Sequence, residues 1–191
     1  MGVAKFVLKP SRLSLAALEL ARAAIGVTEK PIGSNNGPEV KKYLAAVGLP
    51  PGYAWCMAFV YYMVEAAAAG GEVPIVKTGG VLHGYNNAKG KRIYKLDSQK
   101  QAIEPSQLLP GDIFIMQFKG GQGHTGFVDK VSGSSIITIE GNTDKGGGRE
   151  GIGVFSKRRK ISELRGIIRI LDAPVAHNSA DKNFTQTIHT V

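Results

Sequence analysis

The chain has 191 residues, 43% of them hydrophobic, and a formal net charge of +9; that length buries one ordinary core and falls in the range of a single domain. One cysteine, Cys56, excludes an internal disulfide framework, and the four histidines (His83, His124, His177, His189) lack the paired spacing with Cys that a zinc site needs. No apolar stretch is long enough for a membrane span, and lysines interrupt the apolar start Met1–Lys9, so neither a signal peptide nor a transmembrane helix is expected.

Leu15, Leu18, Ala21 and Ile25 recur at helical spacing between Ser14, read as the N-cap, and Gly26, which predicts an amphipathic helix over 14–25. After the turn-rich stretch Pro31–Gly37, Pro38 at a first helical position opens a second helix that runs to Val47 and is closed by Gly48 and Pro50-Pro51. A third helix is expected from Cys56 to Ala69, stopped by Gly70-Gly71; apolar residues on most of its faces predict burial. Residues 79–101, rich in Gly, Asn and Lys, read as a long connection with room for a short helix or strand. Beyond the turn Leu109-Pro110-Gly111, β-type segments follow at 112–118, 125–131, 135–140, 152–158 and 166–171. Helices first and strands later predict an α+β domain with an antiparallel sheet over 1–171, and the polar residues 172–191 read as a tail or docking extension.

The positive charge is concentrated. Residues 77–101 and 157–169 each carry six Lys/Arg against one acid. Such runs fit an anionic partner, whether nucleic acid, an acidic membrane surface or a wall polymer, and equally fit solvated faces.

Cys56 stands where the irregular segment before it gives way to a helix. Unpaired N–H groups and the positive end of the helix dipole at such a place favour thiolate over thiol in general, whereas the bland alternative is a small buried hydrophobe. His124 begins the second strand segment, and a short connection at 131–136 folds that strand onto the next. Pairing about Gly133 sets residue 124 opposite 142, so His124 lies beside Asn142 and diagonal to Glu140 on one face, in a register sensitive to a slip of one. A thiol, an imidazole and a polar group that fixes the imidazole are the parts of a cysteine hydrolase. Each residue alone also has an ordinary explanation: a surface histidine, a turn-capping glutamate, a turn asparagine. Two GxGxxG stretches, Gly121–Gly126 and Gly146–Gly151, lead into β-type segments instead of helices and therefore do not read as cofactor loops. Their glycines are expected to form walls against which an extended substrate approaches the thiol.

At these residues the chain resembles the CHAP family, the cysteine- and histidine-dependent amidohydrolases and peptidases that cut bacterial peptidoglycan. The matching blocks, in order, are Ser34-Asn35-Asn36-Gly37-Pro38-Glu39-Val40 with Tyr43-Leu44, Trp55-Cys56-Met57-Ala58-Phe59-Val60, Pro110-Gly111-Asp112-Ile113 with Gly123-His124-Thr125-Gly126, and Ile139-Glu140-Gly141-Asn142-Thr143. They span about residues 18–171. The resemblance implies a papain-like α+β fold, N-terminal helices packed on an antiparallel sheet of about five to six strands. It also implies Cys56 as nucleophile, His124 as base, Glu140 and Asn142 as supporting groups, and Tyr53, Trp55 and Asn35 as substrate contacts. The chain departs from the family's pattern in two ways. The acidic calcium loop of some relatives has no counterpart before Cys56, so no metal or cofactor is expected, and the short tail is not expected to supply the separate wall-binding module that many relatives carry.

The implied reaction is amide hydrolysis of peptidoglycan, by an amidase acting between sugar and stem or by an endopeptidase within the peptide. The Cys56 N–H and Tyr53 are the expected oxyanion donors. The expected route is synthesis in the cytoplasm and action in the periplasm or wall, after phage-type release or contact-dependent delivery; a delivered toxin implies an immunity protein or inhibitor as partner. Nucleic acid is not an expected partner. Two alternatives stay open: a non-catalytic basic binding domain for nucleic acid or anionic wall polymer, and a cysteine amidohydrolase acting on a non-wall amide.

Overall fold

The computed structural model describes residues 9–144 and 151–173. The expected tail from 174 onward and the glycines 146–148 lie outside the described residues.

Helix α1 spans Arg12–Ala23. It starts earlier than the periodicity predicts because Ser11, not Ser14, caps it: the Ser11 Oγ accepts the Ser14 N–H at 3.1 Å. Helix α2 (Pro38–Ala46) begins at its proline, as Pro's fixed φ and missing N–H favour. Helix α3 (Cys56–Ala68) is apolar nearly all round and is buried between α1 and α2 on one side and the sheet on the other. Its first turn is set in an aromatic cluster, with the Tyr43 ring 5.7 Å from Trp55 and 5.4 Å from Phe59.

The long connection holds both a helix, α4 (Val81–Asn87), and a strand, β1 (Ile93–Asp97). The remaining strands are β2 (Ile113–Gln117), β3 (Gly123–Ser132), β4 (Ser135–Thr143), β5 (Gly153–Lys160) and β6 (Gly166–Ile170). All pairings are antiparallel, and the six strands lie in the order β1-β6-β2-β3-β4-β5. Alternation along the strands separates two apolar layers: Ile113, Ile115, Phe127 and Ile139 face the helices, while Phe114, Val128, Ile136 and Ile167 pack on the far face. This is the α+β, papain-like arrangement.

The β3–β4 hairpin carries a β-bulge that decides what its other end can do. Ser132 pairs with Ser135 and Lys130 with Ile137, but Val128 pairs with Thr138, leaving Asp129 unmatched. Without the bulge, with Asp129 paired in the register of the hairpin tip, His124 would align with Thr143 and point away from Glu140's face. With it, the register carried on from Phe127↔Ile139 aligns His124 with Asn142, Glu140 diagonal on the same face. The reading centred on Gly133 reaches the same alignment through two differences that cancel, a turn of Gly133-Ser134 and the bulge. The Arg22 Nε of α1 donates to the Asp129 carboxylate at 2.7 Å, tying the bulge to the helix layer.

Candidate active site

Cys56 is the first residue of α3, and the first hydrogen bond within that helix runs from the Phe59 N–H to the Trp55 carbonyl at 2.8 Å. The N–H groups of Cys56, Met57 and Ala58 therefore have no acceptor inside the helix. An exposed segment, residues 50–54, leads directly to the thiol, which keeps 5% exposure. His124 follows a second exposed segment, 119–122, and is fully buried. The two groups arrive from opposite layers, the sulfur from the helices and the imidazole from the far face of the sheet.

Glycine at 141 allows the helix to come this close. A Cβ there would lie 2.7 Å from Phe59 and 2.8 Å from Trp55, so the first turn of α3 rests directly on β4. Gly126 does the same for the carboxylate, since a Cβ would sit 3.0 Å from the Glu140 Cγ and 2.4 Å from the Ile139 carbonyl. Gly123 in turn leaves room for Val81 of α4, which a Cβ would approach to 2.8 Å. The expectation that Gly123 and Gly126 form walls against substrate is thus corrected: their open sides are filled by the protein's own atoms.

The His124 Nε2 lies 2.8 Å from Glu140 Oε2. An ionised carboxylate only accepts, so Nε2 carries a proton and donates. Glu140 is held as an anion: burial works against its charge, but hydrogen bonds from Arg159 and then His124 outweigh that and bring its pKa down from 4.5 to about 2. Nδ1 is the nitrogen left over, buried and without a hydrogen-bond partner among the described residues. For His124 too, burial opposes the charged form, yet interaction with Cys56 and then Glu140 raises its pKa from 6.5 to about 9. The Cys56 side chain thus acts on the ring. Thiol, imidazole and carboxylate converge, with the ring turned so that Nε2 meets the carboxylate and Nδ1 stays available.

The other expected residues are placed differently. Asn142 is buried in the left-handed region, with φ 55, and its Oδ1 has no partner among the described residues; the imidazole's partner is Glu140. Trp55, expected to touch substrate, has no exposed surface, and its indole N–H donates to Glu29 Oε1 at 2.9 Å, so it is a packing residue beneath the thiol. Asn35 is half-buried with φ 50; its N–H donates to Glu29 Oε2 at 3.0 Å and its carbonyl accepts from Gly52 at 2.9 Å. Tyr53 is 55% exposed beside Cys56.

Two residues that shape the site escaped the sequence reading. Glu29, 1% exposed, clamps the Asn35 loop to the residue preceding the thiol. Arg159 grips both oxygens of Glu140. The run 157–160 reads as solvated charge, but period-two alternation puts 155, 157 and 159 on one face and 156, 158 and 160 on the other, and that signal could have singled out Arg159. Much of the positive charge is paired internally: Arg92 with Glu72, Arg159 with Glu140, Arg165 with Asp97 and Arg169 with Asp112. Among the described residues no three His, Cys, Asp or Glu side chains gather as a metal cage, and no helix is long and apolar enough to cross a membrane.

Residues 48–142 match the family model for the CHAP domain, a span that contains Cys56, His124, Glu140 and Asn142. That segment is a CHAP domain. Its fold is similar to the crystal structure of Ly7917, with a TM-score of 0.50 and 14% identity over 83% of this chain and 62% of that one. A second structure, Ly7917 with the hydrolyzing product of MDP, aligns with a TM-score of 0.45 and 14% identity over 82% of this chain and 62% of that one. The chain thus spans less than two thirds of the length of those structures. No curated protein matches the chain.

Proposed function

We propose that the protein is a peptidoglycan hydrolase that cleaves an amide bond of the wall peptide through a cysteine acyl-enzyme. The CHAP domain supports the substrate class. The observation that carries the chemistry is the setting of His124, with Nε2 fixed on Glu140, Nδ1 without a partner among the described residues, and Cys56 acting on the ring.

In this reading the Cys56 thiolate attacks the carbonyl of the scissile amide, forming the C–S bond while the carbonyl electron pair moves to oxygen. The N–H groups at the start of α3 are aimed where that oxyanion develops. His124, protonated at Nδ1, gives its proton to the departing amine as the C–N bond breaks. Water then attacks the thioester with Nδ1 taking its proton, and the C–S bond breaks to release the carboxylic acid and restore the thiolate and the imidazolium. Glu140 keeps the tautomer throughout and stabilises the imidazolium. Action in the periplasm or wall, after phage-type release or contact-dependent delivery, belongs to the same proposal.

Cys56→Ala is expected to abolish release of soluble fragments from isolated sacculi while leaving the melting temperature and circular dichroism native-like. Mass spectrometry of the wild-type fragments then identifies the bond: a new stem amino terminus at the sugar marks an amidase, and new ends within the peptide mark an endopeptidase. Undiminished release by the alanine variant would sink the reading.

A further inference from the structure

We propose that Arg159 is a positioning residue of the Cys56–His124–Glu140 site, fixing through its guanidinium fork the carboxylate orientation that gives His124 a single tautomer and ring plane. The proposal rests on the reading of that site as catalytic. Arg159 lies on β5 opposite Ile136, four residues along β4 from Glu140. Only a long side chain laid along the strand, over a span of about 13 Å between the two backbone positions, reaches the carboxylate. Arg159 does so with both ends of its fork: Nε donates to Oε1 at 2.8 Å and Nη2 to Oε2 at 2.6 Å. The Thr138 hydroxyl donates to Oε1 at 2.6 Å, and His124 Nε2 takes the remaining site on Oε2.

The terminal torsion of a glutamate is intrinsically broad, so a carboxylate held by the imidazole alone could swing and let the ring follow. Two parallel charge-assisted hydrogen bonds from a planar fork remove that freedom, which a lysine's point charge does not. The side chain of Arg159 is only 10% exposed and that of Glu140 fully buried, so solvent hardly screens the pair. The fork also competes with the imidazolium for the same negative charge. Removing it should leave Glu140 to act on His124 alone and strengthen the ring's hold on its proton. Among the described residues, the titratable groups that act on this assembly include Cys56 from α3 on His124, Arg159 from β5 on Glu140, and Glu163 and Asp144 on Arg159.

The test compares wild type, Arg159→Gln and Arg159→Lys by NMR titration of the His124 ring nitrogens and by the rate of fragment release from sacculi. Arg159→Gln is expected to move the ring's titration midpoint to higher pH, to populate both tautomers when neutral, and to slow release by up to about 100-fold. Arg159→Lys, which keeps the charge and loses the fork, should leave the midpoint near wild type while recovering only part of the rate. A purely structural arginine would lower the melting temperature and the amount of active protein but leave midpoint and tautomer where they were, and that result overturns the proposal. If Arg159→Gln does not fold, Arg159→Lys decides: a wild-type rate with an unchanged ring signal overturns it. Should wild type release nothing from sacculi while Arg159→Gln still shifts the ring, the hydrolase reading fails and the positioning role does not.

Discussion

Two buried arginine–carboxylate forks brace the same sheet and end in different chemistry. At Asp112, just before β2, Arg169 of β6 donates Nε to Oδ1 at 2.7 Å and Nη2 to Oδ2 at 2.6 Å, while the Leu109 N–H also donates to Oδ2 at 2.8 Å. All of those donors are permanent: a guanidinium that never loses its proton and a backbone amide. The pair closes the Leu109–Asp112 turn, where Gly111 has φ 84 and a Cβ would come within 2.8 Å of the Ser14 carbonyl. At Glu140 the fork has the same geometry, but Oε2 is shared with an imidazole on which Cys56 also acts. A carboxylate whose donors are all permanent is scaffold, whereas one that shares itself with a titratable ring passes its orientation to that ring.

Exchanging the two carboxylates for amides should separate these roles. Glu140→Gln is expected to lower the rate of fragment release by about 10²–10⁴-fold, because the imidazole loses its fixed acceptor. Asp112→Asn should leave the rate per folded molecule near wild type but cost about 3–5 kcal/mol in urea unfolding, since it strands the Arg169 charge in the interior. If the amide at 112 slowed catalysis as much as the amide at 140, the distinction between the forks would collapse.

Glu29 makes a third contrast, a buried carboxylate whose donors here are both neutral N–H groups, from Trp55 and Asn35. Glu29→Gln turns an NH₂ toward one of those donors and should cost about 1–3 kcal/mol. Trp55 is the sole tryptophan of the chain, so its emission reports the broken contact directly; an unchanged spectrum and melting curve would refute the clamp.

The smallest effect expected is on the pH dependence of stability. His124 is raised from 6.5 to about 9, so its contribution is complete below 6.5 and fades as pH rises through about 9. Glu140 is lowered from 4.5 to about 2, so its contribution is complete above 4.5 and fades as pH falls through about 2. Melting temperatures should therefore lose their alkaline decline in part in His124→Asn, and a decline identical to wild type would count against the ring's raised pKa.

What the sequence makes legible is local. Pro38 marks the start of α2, and the turn at Pro110-Gly111 marks the entry to β2, because a fixed φ or a required left-handed glycine leaves its trace in a few neighbouring residues. Strand β1 was harder to read because it is short, flanked by Lys91 and Arg92, and paired only with β6, whose residues lie some seventy positions later in the chain. Helix α4 has seven residues, too few for a periodicity to declare itself. The Cys56, His124 and Glu140 positions carry motif signals, but Glu29 stands among polar loop residues, and nothing near it announces an indole arriving from position 55. Trp55 is hard to read for the same reason: an aromatic next to a candidate nucleophile looks like a substrate platform until a distant carboxylate is seen to hold it.

The unmatched Asp129 also separates the two ends of its hairpin. Because the one-residue offset is made at the bulge and anchored to α1 through Arg22, the alignment of 124 with 142 does not depend on how the chain reverses at Gly133-Ser134. That tip is therefore the place to graft a tag, a label or a longer loop, whereas a single residue added on the other side of 129 would shift the register by one and turn the imidazole away from its acid.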